Sequence, residues 1–442
     1  MARAKKPTPL RTPSVHLDPL RLLDEREVST LRAWLGIRRL DEDMKSEFKA
    51  LLDQHCEGTR LWLRDDLFAA LSNNKRVLWL GGDAGVGKSV LAAFLAMELK
   101  AQNQLGSYFF CKADNNERNN ARKLVLYLAF GFALWQPIVG RQLIYIKTLE
   151  DQEQRQLEEQ QKQRSHRSEG EQGGGARFTS VLEKPLDILF QKLILEPLNV
   201  LDMDKINPIA VVIDALDEIG TTGDADRSAL LKLITKQCMQ LPHTVKLVIT
   251  SRFEDDIKKA FENGKISIHQ LKITDEKNRA DAKLYVEKTI QTLHPRHPLP
   301  PQLVDHLVEN SDGLFIWLKF ALTSLTEMVK NGQEVQLTFF DKDSTSSSSN
   351  QIMTQFYNQT FDRLFQGDSV FLANLQKVLA CVILCLRPLS SWTHSQLLSI
   401  NHEQVLSCLY QLQPVLQYQQ AEIDDDNSQN YHQQIAIVFK NI

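Results

Sequence analysis

The run Gly82-Asp83-Ala84-Gly85-Val86-Gly87-Lys88-Ser89 has the spacing G-x-x-x-x-G-K-[ST], which suits phosphate chemistry. Glycines let backbone N–H groups wrap a pyrophosphate without Cβ interference. A helix that starts at the end of the run, through Lys88, Ser89 and Val90, turns its positive end on the anion. Lys88 adds a mobile cation, and Ser89 offers a hydroxyl to Mg²⁺. The alternative is a glycine-rich turn between strand and helix that binds nothing. The complete motif, set between an apolar strand and an apolar helix, argues against it.

Two further clusters could act on the same phosphates. The apolar run at 209–213 (IAVVI) delivers Asp214 at its end, with Asp217 and Glu218 just beyond. A carboxylate at that strand end can hold Mg²⁺, directly or through water, opposite Ser89. One of the next two acids can polarise an attacking water. Helix capping and favourable dipole placement would explain the pair without catalysis, and the sequence does not choose between Asp217 and Glu218. The run at 245–250 (VKLVIT) ends in Ser251-Arg252. A guanidinium there can detect or stabilise a γ-phosphate, because charge builds up on that group during transfer. The plainer alternative is a salt bridge to Glu254 or Asp255. Upstream, Cys56-Glu57-Gly58-Thr59-Arg60 interrupts a helical pattern. Thr59 and Arg60 could reach a bound base from such an elbow, or the elbow could be an ordinary helix–helix turn.

These residues need strands and helices in a particular order. Four apolar residues at 77–80 run straight into the glycine loop, and a helical pattern follows to about residue 100. A short aromatic strand is expected at 106–111, then a long helix at 119–135 stopped at Pro137. The strands at 209–213, 245–250 and, more weakly, 266–271 complete about five. Strands alternating with helices predict a doubly wound parallel α/β sheet, and in such sheets ligands sit beyond the C-terminal strand ends. The loop, the acidic cluster and Arg252 all occur at such ends. Helical segments precede the sheet from residue 18. Others follow it at 278–293, 301–310 and 314–329, after a Ser311-Asp312-Gly313 break. The last part starts helical, includes a helix at 393–400, and closes on a strand at 434–439, a pattern that would suit a winged-helix module.

Composition frames this reading. Of 442 residues, 43% are hydrophobic and 24% charged, as in a soluble globular protein with room for roughly three domains. The net charge of −3 gives no overall attraction to nucleic acid or anionic lipid. The six cysteines are scattered without a C-x-x-C pair, which predicts reduced thiols and a cytoplasmic protein. The most apolar runs fall short of the ~18 residues that a membrane-spanning helix needs. The basic N-terminal stretch is broken by Pro7, Pro9 and Pro13 and reads as a disordered tail at 1–17. The Gln/Glu/Arg-rich segment at 149–177 reads as a solvated helix fraying into a flexible insertion, and 341–350 as a serine-rich loop. The expected division is a helical lead-in at 18–72, a nucleotide-binding domain at 73–273, a helical domain at 274–340 and a winged-helix-like domain at 351–442.

GGDAGVGKS, IAVVIDALDE and VKLVITSR, with CEGTR upstream and SDGLFIW downstream, together resemble the NACHT-type nucleotide-binding domains of STAND signalling NTPases, in the nephrocystin-3-like and fungal-incompatibility-like subgroup. The resemblance implies a P-loop NTPase fold with ATP or GTP and Mg²⁺ as ligands. It also implies a closed ADP-bound state and an open oligomerising one, reached through protein partners. It matches Asp214, Asp217 and Glu218 to the family's acidic triple, Arg252 to its sensor arginine, and Gly58-Thr59-Arg60 to the motif that lies against the base. The region from residue 354 is matched to the helical and winged-helix part that clamps ADP. Two departures stand out. The proline that many relatives carry after the glycine of the helical-domain motif is missing, since Leu314 and Phe315 follow Gly313. The winged-helix histidine has two candidates, His394 and His402. Relatives usually continue into propeller, ankyrin or tetratricopeptide repeats, and no internal repeat occurs here. Other readings of the phosphate loop remain: a small-molecule or nucleoside kinase, and a nucleotide-locked scaffold without turnover.

Overall fold

The computed structural model describes residues 21–72, 76–82, 85–165, 178–202, 207–220, 224–264, 266–270, 276–295, 297–340, 369–385, 389–411, 416–420 and 435–439. The tail at 1–17, the serine-rich loop at 341–350 and the glycine end of the insertion lie outside the described residues. The helices, in chain order, are α1 Glu25–Trp34, α2 Arg38–Leu52, α3 Leu61–Ser72, α4 Lys88–Ala101, α5 Ala121–Trp135, α6 Pro137–Ser165, α7 Leu186–Phe190 and α8 Glu196–Leu198. They continue as α9 Ala225–Lys232, α10 Asp255–Asn263, α11 Glu276–Gln291, α12 Leu303–Ser311, α13 Phe315–Lys330, α14 Ser369–Leu384, α15 Ser391–Leu398 and α16 His402–Gln411. The strands are β1 Val77–Gly81, β2 Leu105–Phe110, β3 Ile209–Asp214, β4 Val245–Ser251, β5 Ser267–Gln270, β6 Leu416–Gln420 and β7 Ile435–Phe439. None of the described helices is long and apolar enough to cross a membrane.

The chain forms two compact units. The first takes the described residues of Met1–Asp53, Phe68–Leu80 and Ala92–His269. Its centre is a sheet in the order β2-β3-β4-β1-β5. β2, β3 and β4 pair in parallel, with Phe110 opposite Asp214 and Ile213 opposite Ile249. Every residue of β3 and β4 is buried, as expected for strands covered on both faces, where neither face allows a polar alternation. Helix α5 packs on β2 with ten of its residues buried, and Asn120 caps it by accepting from the Lys123 N–H. Helix α5 ends at Trp135 just before Pro137, and that same proline opens α6. A residue with no N–H to give and a preset φ fits the first helical position. The solvated helix predicted from 149 therefore begins earlier and runs to Ser165. A π-helical turn at Gln191–Leu195 precedes Pro197, whose ring would crowd the carbonyl four residues back in a regular α-helix.

The second unit takes the described residues of Gln54–Leu67, Gly81–Leu91 and Gln270–Ile442. Helices α11, α12 and α13 pack on one another, and α14, α15 and α16 form another group. Helix α12 ends where Asp312 and Gly313 both turn left-handed, at φ 46° and 80°. This is the physical content of the Ser-Asp-Gly break. Ser390 caps α15 by accepting from the Thr393 N–H. β6 and β7 pair antiparallel, Leu416 with Phe439 and Gln420 with Ile435.

Candidate functional site

The candidate residues fall in both units, and each group has its own geometry. In the first unit, Asp214 ends β3 and is 2% exposed. Thr250, at the end of β4, donates its hydroxyl to Asp214 Oδ1 and accepts from the Ala215 N–H at 3.0 Å. One threonine thus aims the carboxylate and satisfies the next backbone donor. Ala215 is left-handed, at φ 54°, a conformation that costs a residue with a Cβ and is commonly retained where a site requires it. The chain then makes a single 3₁₀ turn, Leu216–Glu218, without a side-chain cap.

Asp217 and Glu218 therefore do not cap a helix, and their partners separate them. Asp217 Oδ1 accepts from the Arg252 N–H at 3.0 Å, and its Oδ2 lies 3.5 Å from Arg252 Nε. Glu218 is partly buried and accepts from the Ala113 N–H at 2.9 Å. Burial pushes the Glu218 carboxyl above its ordinary value; the Ala113 hydrogen bond opposes that rise and the charges of Asp217 and Asp214 add to it. Glu254, considered above as a partner of Arg252, joins the buried Arg227, which also forks onto Asp256 at 2.7 and 3.0 Å and donates to the Asp217 carbonyl at 2.8 Å. The Arg252 side chain is 45% exposed. Cys111, buried beside these acids, has its thiol pushed well up, chiefly by desolvation, so it stays protonated.

In the second unit the phosphate loop has the backbone that its glycines predict. Gly85 and Gly87 lie at φ 79° and 87°, Val86 between them is fully buried, and α4 begins at Lys88. Lys88 Nζ donates to the Gly82 carbonyl at 2.7 Å, so the ammonium is folded over the loop. Ser89 and Val90 follow in the first turn of α4, both partly buried. Asp83 and Ala84 lie outside the described residues.

Upstream, Gly58 and Arg60 are both left-handed, at φ 87° and 63°. Thr59 closes this elbow by donating its N–H and its hydroxyl to the Cys56 carbonyl, at 3.1 and 2.7 Å. Arg60 turns its guanidinium onto the loop, with Nη2 donating to the Val86 carbonyl at 2.8 Å. Of the histidine candidates, His394 is buried with Nδ1 2.9 Å from the Ser390 carbonyl, and His402 places Nε2 3.0 Å from Ser391 Oγ. Sequence reasoning assigns no supporting role to Thr250 and Arg227 in the first unit, or to Asp281 and Ile316 in the second. Thr250 and Ile316 stand inside the runs VKLVITSR and SDGLFIW, but nothing local gives their job, because the partners Asp214 and Gly85 come from other elements of the fold.

Residues 58–252 match the model of the family described as Nephrocystin 3, N-terminal. The chain is also similar to the vegetative incompatibility protein HET-E-1 of Podospora anserina, at 24% identity over 266 residues. That match covers 58% of this chain and 17% of the relative, so the chain spans under a fifth of that protein's length. Among solved structures, domain III of the replication initiation protein DnaA from Thermotoga maritima aligns at 12% identity with a TM-score of 0.32, covering 64% of this chain and 90% of that one.

Proposed function

We propose that this chain is a nucleotide-dependent signalling switch of the NACHT type, a reading supported by the match of residues 58–252 to the Nephrocystin 3, N-terminal family and by the similarity to HET-E-1. It binds ATP, or GTP, with Mg²⁺, hydrolyses it slowly, and passes between a closed state holding the diphosphate and an open state in which copies associate with one another and with protein partners. The observation that carries the reading is the loop at 85–88. Two left-handed glycines flank a buried valine, a lysine folds over the loop, and a helix starts there. Such a run of N–H groups at a helix N-terminus is a cradle for phosphate, and at Gly85 a Cβ would meet the Ile316 side chain at 2.3 Å.

Each residue has a role in this reading. Gly82, Gly85, Val86, Gly87 and Val90 supply backbone to the phosphates, and Lys88 moves from the Gly82 carbonyl to them. Ser89 and Asp214 are the residues that would hold Mg²⁺, with Thr250 keeping the Asp214 carboxylate in one orientation. The ion, when bound, neutralises charge on the phosphate oxygens. Glu218 takes the proton of the attacking water. Its raised proton affinity suits it to that task, whereas Asp217 is committed to the Arg252 N–H and guanidinium. Arg252 responds to charge on the γ-phosphate. Thr59 and Arg60 border the nucleotide from the elbow at 58–60.

The test is phosphate release from ATP and from GTP with Mg²⁺ and no added acceptor. Slow, saturable release supports the switch. Release or transfer only when a small acceptor is added would make the chain a kinase. Tightly held nucleotide with no release at all would make it a locked scaffold.

A further inference from the structure

We infer that Arg60 is a positioning residue that sets the phosphate-loop peptides from outside, tying the cradle to helices α11 and α13. The inference rests on the phosphate-loop reading above, and it assigns Arg60 a job other than contact with a base. Two successive loop carbonyls are held by donors from elsewhere in the same unit. The Gly85 carbonyl accepts from the Ile316 N–H at 3.1 Å, and the Val86 carbonyl accepts from Arg60 Nη2 at 2.8 Å. In a planar trans peptide the C=O of one residue and the N–H of the next point in opposite directions. Fixing the Gly85 and Val86 carbonyls outward therefore fixes the N–H groups of Val86 and Gly87 inward, as two of the donors that a phosphate would meet.

Arg60 is itself held on three sides. Its backbone N–H donates to Asp281 Oδ2 at 3.1 Å, and its Nε lies 3.9 Å from the same oxygen. Asp281 also accepts from Trp62 Nε1 at 2.9 Å. The guanidinium stands 4.5 Å over the ring of Phe315, which stacks in turn on Tyr285 of α11. With 5% of its surface exposed, Arg60 gives up most of its hydration for these contacts, and a buried charge is tolerated only when it is paired in this way. Asp281 and Tyr285 belong to α11, and Phe315 and Ile316 open α13. The direction of the loop donors thus depends on both helices staying where they are. A shift of α11 or α13 would release the Val86 and Gly85 carbonyls, and with them the donors on the other side. This gives the helical segment a route to nucleotide affinity that needs no contact with the nucleotide.

The experiment compares the full chain with Arg60→Met after bound nucleotide has been removed. Affinities for ADP and for inorganic pyrophosphate are measured by competition against a fluorescent ADP, and amide exchange is followed across 85–88 without ligand. The expected result is that Arg60→Met weakens ADP and pyrophosphate by the same factor, about tenfold, as for loss of a charge-assisted hydrogen bond. Exchange at Val86 and Gly87 speeds up. Arg60→Lys keeps the charge beside Asp281 but loses the fork; it serves where Arg60→Met does not fold, and it should also weaken both ligands equally. Loss of ADP affinity with pyrophosphate unchanged would show a base contact and overturn the inference, as would unchanged affinity for both. A wild-type chain that binds neither ligand, while Arg60→Met still speeds exchange, would overturn the nucleotide reading and leave the clamp standing.

Discussion

Gly85→Ala probes the seating of the phosphate loop at one atom. Gly85 lies at φ 79°, and a Cβ built there would sit 2.3 Å from Ile316 Cγ2 and 3.2 Å from Ile316 Cβ. A left-handed backbone costs a residue with a Cβ about 1–2 kcal/mol. Forcing a methyl group into filled space costs about 1–3 kcal/mol more. The chain avoids that total, about 2–5 kcal/mol, by moving the loop out of its binding geometry, so ADP affinity falls about 30-fold or more. Ile316→Ala removes Cγ2, so the double variant should regain the overpacking share, about fivefold or more, while the backbone strain remains. Isothermal titration with ADP on the four chains gives a double-mutant cycle whose coupling term isolates the contact. Wild-type affinity in Gly85→Ala, or zero coupling with Ile316→Ala, would refute the seating of α13 on the loop.

Two further outcomes concern catalysis and stability. Glu218→Gln should slow phosphate release about 100-fold or more while ADP affinity stays within about threefold. The base must be ionised, so wild-type release should fall on the acid side at a pH above the ordinary carboxylate value of 4.5, and the glutamine variant should lose that limb. Arg227→Met takes the guanidinium from the partly exposed Glu254 and Asp256 and should cost about 1.5–3 kcal/mol in denaturant unfolding; an unchanged midpoint would remove Arg227 from the framework behind Asp217.

How much of this is legible in the sequence depends on how far apart the interacting residues lie. The phosphate loop is one short motif, and its glycine conformations follow from the steric demands of a close turn. β3 reads correctly because a continuous apolar run is what a strand buried on both faces requires, and β4 because its run at 245–250 is apolar apart from Lys246 and Thr250. The roles of Asp217 and Glu218 are not legible, because their adjacency hides different partners: Arg252 for one, the Ala113 N–H for the other. Arg60 illustrates the same limit. Its residue type and its elbow suit a base contact, yet Asp281, 221 residues away, and Phe315 draw its guanidinium onto the Val86 carbonyl. Glu254, the plainer alternative partner for Arg252, shows the same limit, since it joins the buried Arg227, which also forks onto Asp256. Pro137 reads locally as a stop and also serves as a start, because a missing N–H suits both sides of the break.

The central claim is that the loop at 82–89 holds a nucleotide, and its most direct test is the nucleotide content of the purified chain. Wild-type chain and Lys88→Ala, prepared identically, are denatured in acid, and the released nucleotides are identified and counted. The expected result is ADP or ATP, or the guanine equivalent, near one per wild-type chain and almost none in Lys88→Ala. Equal content in the two chains, or a wild-type chain that carries no nucleotide and takes up none with Mg²⁺, would contradict it.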